Sequence, residues 1–209
     1  MKIVGIVGSP RRKGNTYYLI NEALSAAAMQ VTSLDTECLK LADFAISPCR
    51  ACESCGQPPF VCVQEDDFGE ILDRLIEADG LLLASPRYGP FGASPSRLQA
   101  LLERLINVSY LPTHTKPGFV PPLDNKPCGL LAVSAEGGQN NLPVLHSLEQ
   151  YALAYGMRVI HSRHWPYVGV SGKGNAEGDV LEDNQAIENA RELGRLVAHS
   201  LSAMERSSS

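Results

Sequence analysis

Two short stretches of this 209-residue chain carry residues of the right kind and spacing for chemistry. The first is Gly8-Ser9-Pro10-Arg11-Arg12-Lys13-Gly14-Asn15-Thr16. Read as a turn between a strand and a helix, it offers the unpaired first N–H groups of the helix and the positive end of its dipole, and Ser9, Asn15 and Thr16 add neutral donors. The chemistry is capture of an anion. There is no G-x-G-x-x-G and no G-K-[ST] ending, so a terminal monophosphate suits the loop better than a dinucleotide or a nucleoside triphosphate. The bland reading of Arg11-Arg12-Lys13 is three solvated loop charges.

The second stretch is Cys49-x2-Cys52-x2-Cys55-x6-Cys62, four of the six cysteines on one loop. With no secretory signal at Met1 to Gly8, this density points to metal or redox chemistry rather than to a disulfide framework. A four-iron, four-sulfur (4Fe–4S) cluster needs four soft anionic ligands, and three close cysteines with a more distant fourth are a usual solution. Tetrahedral zinc is a second reading, although zinc sites more often use two separated C-x-x-C knuckles. Free thiols are a third. Cys38 and Cys128 lie in apolar segments and are expected to be buried thiols.

These stretches must be positioned by an alternation of strands and helices. Lys2 to Val7 is a short β-branched run, and Thr16 to about Met29 has helical spacing with Asn15 or Thr16 as the expected N-cap. A second strand is placed within Val31 to Leu41. A Pro- and Cys-rich loop at 43–66 leads to a helix capped by Asp66 or Asp67 and carrying Phe68, Ile71, Leu72, Leu75 and Ile76. Gly80 to Ala84 and Pro127 to Val133 are continuous apolar runs, as in strands buried on both faces of a parallel sheet. Ser94 to about Asn107 and Leu142 to Tyr155 are amphipathic helices, with Pro95 in the first turn of the former. Residues 110–126, with four prolines, are expected to be an irregular surface excursion. Arg158 to about Arg163 is a fifth strand, a last helix spans about Asp179 to Met204, and the Ser207-Ser208-Ser209 tail is expected to be disordered.

The pattern implies one α/β domain over residues 1–209, a three-layer α/β/α sandwich around a five-stranded parallel sheet of order 2-1-3-4-5. Ligands of such doubly wound sheets sit at the carboxyl ends of the strands, near the switch between strands 1 and 3. The loops after Val7, Ala84 and Val133 share that edge.

At these residues the chain resembles the NADPH-dependent FMN reductase family of flavodoxin-like proteins, whose first loop follows G-S-P-R-x-x-G-N-T, matched throughout from Gly8 to Thr16. The resemblance implies FMN phosphate contacts from Ser9, Arg11, Asn15 and Thr16. Ser85-Pro86-Arg87-Tyr88-Gly89 is similar to the family's S-P-x-Y-x loop along the isoalloxazine, and Ser94-x3-Leu98 and Leu102-x-Arg104 match the helix that follows. The family often has Val or Ile where this chain has Arg87. A cation there either favours anionic reduced flavin or points to solvent. Ser134-Ala135-Glu136-Gly137-Gly138-Gln139 resembles the stretch closing over the other side of the flavin, with Ser134, Glu136, Gly137 and Gly138 as framing residues.

The cysteine spacing resembles the compact motif of the iron–sulfur flavoproteins, a branch of the same family in which the motif lies between the second strand and second helix. Cys49, Cys52, Cys55 and Cys62 would then ligate a 4Fe–4S cluster beside FMN. The resemblance implies an FMN-dependent electron-transfer oxidoreductase, with ferredoxin or NAD(P)H as donor, assembled as a homodimer or homotetramer. Two rivals stay open: a cluster-free NAD(P)H-dependent FMN or quinone reductase, and a non-enzymatic, zinc-stabilised flavodoxin-like binding module.

The net charge of −5 and pI near 5.5 argue against a general nucleic-acid surface. No run approaches the roughly 18 to 20 apolar residues of a membrane span. A cytoplasmic protein is expected. The five histidines are scattered, without a metal-binding pair or a neighbouring nucleophile, and are expected to be structural or solvated. Trp165-Pro166-Tyr167 is expected to pack in the core or at an interface.

Overall fold

The computed structural model describes residues 1–89 and 92–208. Its strands are β1 (Lys2–Val7), β2 (Asp35–Lys40), β3 (Gly80–Pro86), β4 (Pro127–Ser134), β5 (Arg158–Val159) and β6 (Val170–Lys173). Its α-helices are α1 (Asn15–Gln30), α2 (Phe68–Glu77), α3 (Ser96–Thr115), α4 (Leu142–Ala154) and α5 (Asn184–Ser208). Every strand pair is parallel, in the order β2-β1-β3-β4-β5, with β6 also paired to β4. This is the flavodoxin-like order.

The apolar runs split by period two between the two faces of the sheet. Val4, Ile6, Leu81, Leu83, Leu130 and Ala132 pack with residues of α2, α3 and α4. Their neighbours Ile3, Val7, Leu82, Ala84, Leu131 and Val133 pack with α1 and α5. A strand with an unbroken apolar run is therefore required to feed both cores, and β3 and β4 have such runs, with Ser85 and Ser134 only near their carboxyl ends. β2 is an edge strand with only Leu39 buried, so its weak apolar pattern follows from having little to bury.

Register brings the functional loops together. Val7 pairs with Ala84, Ala84 with Leu131 and Pro86 with Val133, so the three strands end at one edge. The ladder continues past them, with Gly8 N–H donating to Ala84 O (2.8 Å), Arg87 N–H to Val133 O (2.8 Å) and Gly174 N–H to Ser134 O (2.9 Å).

Several boundaries differ from the sequence expectation. The strand expected over Arg158 to Arg163 stops at Val159 and resumes as β6, so two short strands share one edge of β4. Between them Ser162 N–H donates to Tyr167 O instead of to the sheet, and Pro166 has no N–H to donate. Residues 110–115 of the expected excursion complete α3, and the chain becomes irregular from Lys116. Pro112 lies inside that helix. The N-cap of α1 is Gly14 rather than Asn15 or Thr16. Helix α5 runs to Ser208 and is preceded by a 3-10 turn at Asp179–Glu182, and Ser209 lies outside the described residues. Among the described residues, no helix is long and apolar enough to cross a membrane.

Candidate functional site

At the carboxyl edge of the sheet, the loops after β1, β3, β4 and β6 enclose a cavity of about 490 Å³. That is within the usual size of a cofactor cleft, about 300–1,000 Å³. Ser9, Arg11, Asn15, Thr16, Pro86, Arg87, Tyr88, Gly89, Ser134 and Glu136 all line it, as do Pro10, Gly14, Val133, Ala135, Gly174 and Asn175. The β1 loop contributes an anion-binding end. Ser9, Asn15 and Thr16 are buried there, and the first turn of α1 has N–H groups without intrahelical acceptors. Ser9 Oγ accepts from Arg11 N–H (3.1 Å), which curls the loop, and Arg11 Nη1 donates to Asn175 O (3.1 Å).

Asn15 is more structural than its motif position implies. Its Nδ2 donates to Ala176 O (2.7 Å), and its Oδ1 accepts from Val180 N–H (3.3 Å). The carboxamide therefore staples the 174–180 loop onto α1, and the backbone amide is what Asn15 can offer an anion. Arg12 turns away to pair with Asp43 (2.8 Å), so Arg11 is the member of the basic triplet that lines the cavity.

Arg87 does not simply project into solvent. Its side chain is mostly covered, and Nη1 meets Glu136 Oε2 at 3.0 Å, tying the β3 loop to the β4 loop. Three of the residues expected to frame a flavin do not line the cavity: Ser85, Gly137 and Gly138. Ser85 is fully buried, with its hydroxyl donating to Pro86 O (2.8 Å). Gly137 N–H donates to Ser134 Oγ (3.0 Å) at φ 64°, and a Cβ there would lie 2.8 Å from Lys173 Cβ. These residues shape the loops from behind.

The loop after β6 was missed from the sequence. Gly174 and Asn175 close the end of the cavity beside the β1 loop, and the signal for them was the Val168-Gly169-Val170 run ending in Gly172-Lys173-Gly174-Asn175.

The four cysteines of the 43–66 loop meet on one side of α3, around a small cavity of about 20 Å³ that Arg104, Asn107 and Val108 also line. Ala51, Glu53 and Phe60 adopt left-handed backbone, φ 50°, 58° and 65°. Each such non-glycine residue costs roughly 1–2 kcal/mol, and the reversals fold the loop back on itself. Three sulfurs accept hydrogen bonds: Cys49 from Ala51 N–H (3.4 Å) and Asn107 Nδ2 (3.2 Å), Cys52 from Ser54 Oγ (3.5 Å), and Cys62 from Arg104 Nη2 (3.2 Å). The Ser54 hydroxyl bond holds the Cys52 thiol below its ordinary range, whereas burial pushes the Cys55 thiol up, helped by the other three cysteines. Burial alone pushes Cys128 up to about 12, and it outweighs Lys40 in pushing Cys38 up to about 11. Cys128 is fully buried and Cys38 partly so.

Arg104 is the residue that sequence reading undervalued. Its side chain is 1% exposed, and its Nη1 donates to both carboxylate oxygens of Asp66 (2.7 and 2.6 Å). Its guanidinium lies 4.1 Å from the Phe68 ring centroid. The Nε–H is buried with no acceptor. Asp66 also accepts from Ser47 N–H (2.8 Å) and from Phe68 N–H (3.1 Å), so it joins the two ends of the cysteine loop and holds the first amide of α2, whose N-cap position is Asp67. Burial would raise Asp66, but the Arg104 hydrogen bond and these amides outweigh it and hold the carboxyl below the usual carboxylate range.

Among the described residues, no group of three or more His, Cys, Asp or Glu is arranged to hold a metal ion. The donor set nevertheless fits a sulfur-held, anionic group: four thiols, polar donors to three of them and an orphaned buried guanidinium N–H. No histidine lines either cavity, and Trp165 and Tyr167 are exposed, not core residues.

The sequence pattern of NADPH-dependent FMN reductases matches residues 1–168. An iron–sulfur flavoprotein of Methanocaldococcus jannaschii is 36% identical over 202 residues, covering 95% of this chain and 96% of the relative. Another, from Methanosarcina thermophila, is 33% identical over 162 residues, 77% of each chain. Among solved structures, RosB with a bound 8-demethyl-8-formylriboflavin-5'-phosphate superposes with a TM-score of 0.71 at 17% identity, covering 99% of this chain and 81% of RosB, a likeness of fold. The chain belongs to the NADPH-dependent FMN reductase family, in its iron–sulfur flavoprotein branch.

Proposed function

We propose that this FMN-dependent oxidoreductase couples FMN at the sheet edge to a 4Fe–4S cluster held by Cys49, Cys52, Cys55 and Cys62. The observation that carries the reading is the gathering of those four thiols around one cavity under hydrogen-bond donors from α3. When bound, FMN supplies an electron store able to exchange two electrons together or singly, and the cluster supplies single-electron carriage.

The protein's own residues bind and orient. Arg11, the Ser9 and Thr16 hydroxyls and the amides of Asn15 and Thr16 hold the phosphate dianion. Pro86, Arg87, Tyr88 and Gly89 form one wall beside the ring, and Ser134 and Glu136 form the facing wall. Ser85, Gly137 and Gly138 keep those walls in place. The Arg87–Glu136 ion pair spans the two walls and fixes their separation. These site residues share one domain, and the four loop thiols call for the reducing conditions of the cytoplasm. Ferredoxin or NAD(P)H is the donor, and the chain assembles as a homodimer or homotetramer.

The test is anaerobic purification followed by absorption spectroscopy and iron and sulfide analysis. A brown protein with about four irons per chain is expected, and Cys49→Ser should lose the iron absorbance while retaining FMN. A yellow, iron-free protein would favour the cluster-free NAD(P)H-dependent reductase. A colourless zinc protein would favour the binding module. Titration with NADH, NADPH and reduced ferredoxin identifies the donor, and light scattering gives the assembly.

A further inference from the structure

Burying a guanidinium is expensive, and replacing a buried ion pair by apolar side chains is often neutral or stabilising. Arg104 has the largest of the fully buried side chains, so the fold alone does not call for a cation there. Its three nitrogens are used unequally. Nη1 donates to Asp66 and, at 3.4 Å, to Ser47 O, Nη2 donates to Cys62 Sγ, and Nε–H has no acceptor. The single carboxylate paired with it is shared with two backbone amides. The pair as a whole is neutral, but the guanidinium stands between Asp66 and Cys62, so its positive end faces the cysteine loop. Three residues further along the same face of α3, Asn107 makes a neutral bond to Cys49 Sγ, so the helix serves two of the four sulfurs with donors of different charge.

We propose that Arg104 is a positioning residue that holds Cys62 and places a permanent positive charge beside the sulfur-ligated iron group, raising its midpoint potential. This rests on the cluster reading above. Reduction adds one electron and therefore one negative charge to that group without making or breaking a bond, so a fixed neighbouring cation favours the reduced state. Burial limits screening, so the effect should persist at moderate salt.

The test is an anaerobic dithionite titration followed by electron paramagnetic resonance, on the purified holoprotein and on Arg104→Lys, Arg104→Met and the double variant Arg104→Met/Asp66→Asn. The double variant removes the cation without stranding the carboxylate. Iron and FMN content are measured in parallel. At the wild-type midpoint, the double variant is expected to show about a tenfold lower ratio of reduced to oxidised centres, about 59 mV for one electron, with Arg104→Lys moving much less. Equal midpoints in wild type and double variant overturn the proposal. If both Met variants lose iron but keep FMN, the lysine variant decides: iron retained at a near-wild-type midpoint supports a role of charge, and iron lost there too overturns it. Absence of iron from wild-type protein is a different result and overturns the cluster reading instead.

Discussion

Replacing Asn15 with alanine separates two roles that its place in the anion loop would confuse. The side chain is 7% exposed and spans from α1 to the 174–180 loop through Ala176 O and Val180 N–H, the latter in a buried setting. A neutral hydrogen bond contributes about 0.5–1.5 kcal/mol net, and a stranded buried donor costs about 1–3 kcal/mol. Two lost bonds and one stranded amide give about 2–6 kcal/mol. For a chain of this size that corresponds to a fall in Tm of about 4–24 °C. The assay is thermal unfolding of FMN-free Asn15→Ala by circular dichroism, paired with fluorescence titration of FMN. The expected result is a lower Tm without ligand and weaker FMN binding, because Gly174 and Asn175 lose their anchor and both line the cavity. Undiminished stability of the FMN-free variant together with a large loss of FMN affinity would refute the reasoning. Asn15 would then be acting on the phosphate directly.

Other positions give independent tests. Gly137→Ala should destabilise by about 1–2 kcal/mol from its positive φ alone, with more from the close Lys173 Cβ; a urea midpoint equal to wild type would show that this backbone conformation is not kept. Asp66 is depressed in the folded state, so its contribution to stability is present at neutral pH and is lost as pH falls through and below the usual carboxylate range. Asp66→Asn should therefore be less stable than wild type near neutrality and flatter in acid, and parallel stability–pH curves would contradict the assignment. In iron-free protein, iodoacetamide should label exposed Cys52 first and the buried Cys128, pushed up to about 12, only on unfolding. Peptide mass spectrometry reads the order, and early labelling of Cys128 would mean that β4 opens in the native state.

The sequence by itself determined the parallel sheet, the Gly8 to Thr16 turn between β1 and α1, and the clustering of four cysteines on one loop. Strands with unbroken apolar runs must lie between two layers, and β1, β3 and β4 have such runs, with Lys2, Ser85 and Ser134 only at or near their ends. The run from Gly8 to Thr16 and the cysteine spacing are local, because a phosphate turn or a compact ligand loop is built from near neighbours. Tertiary structure decided whatever depends on partners distant in the chain. Asn15 became a staple because a loop 161 residues away presents Ala176 O. The fifth strand was split because Val170 to Lys173, rather than Ile160 to Arg163, reaches the carboxyl half of β4. Arg104, in the sequence a matched position of the helix after the S-P-x-Y-x loop, acquired a role only when Asp66 and Cys62, 38 and 42 residues earlier, closed around it. Periodicity reports which face of a helix is buried. It does not report what lies opposite, and at Arg104 that opposing surface carries the charge and sulfur on which the proposed chemistry depends.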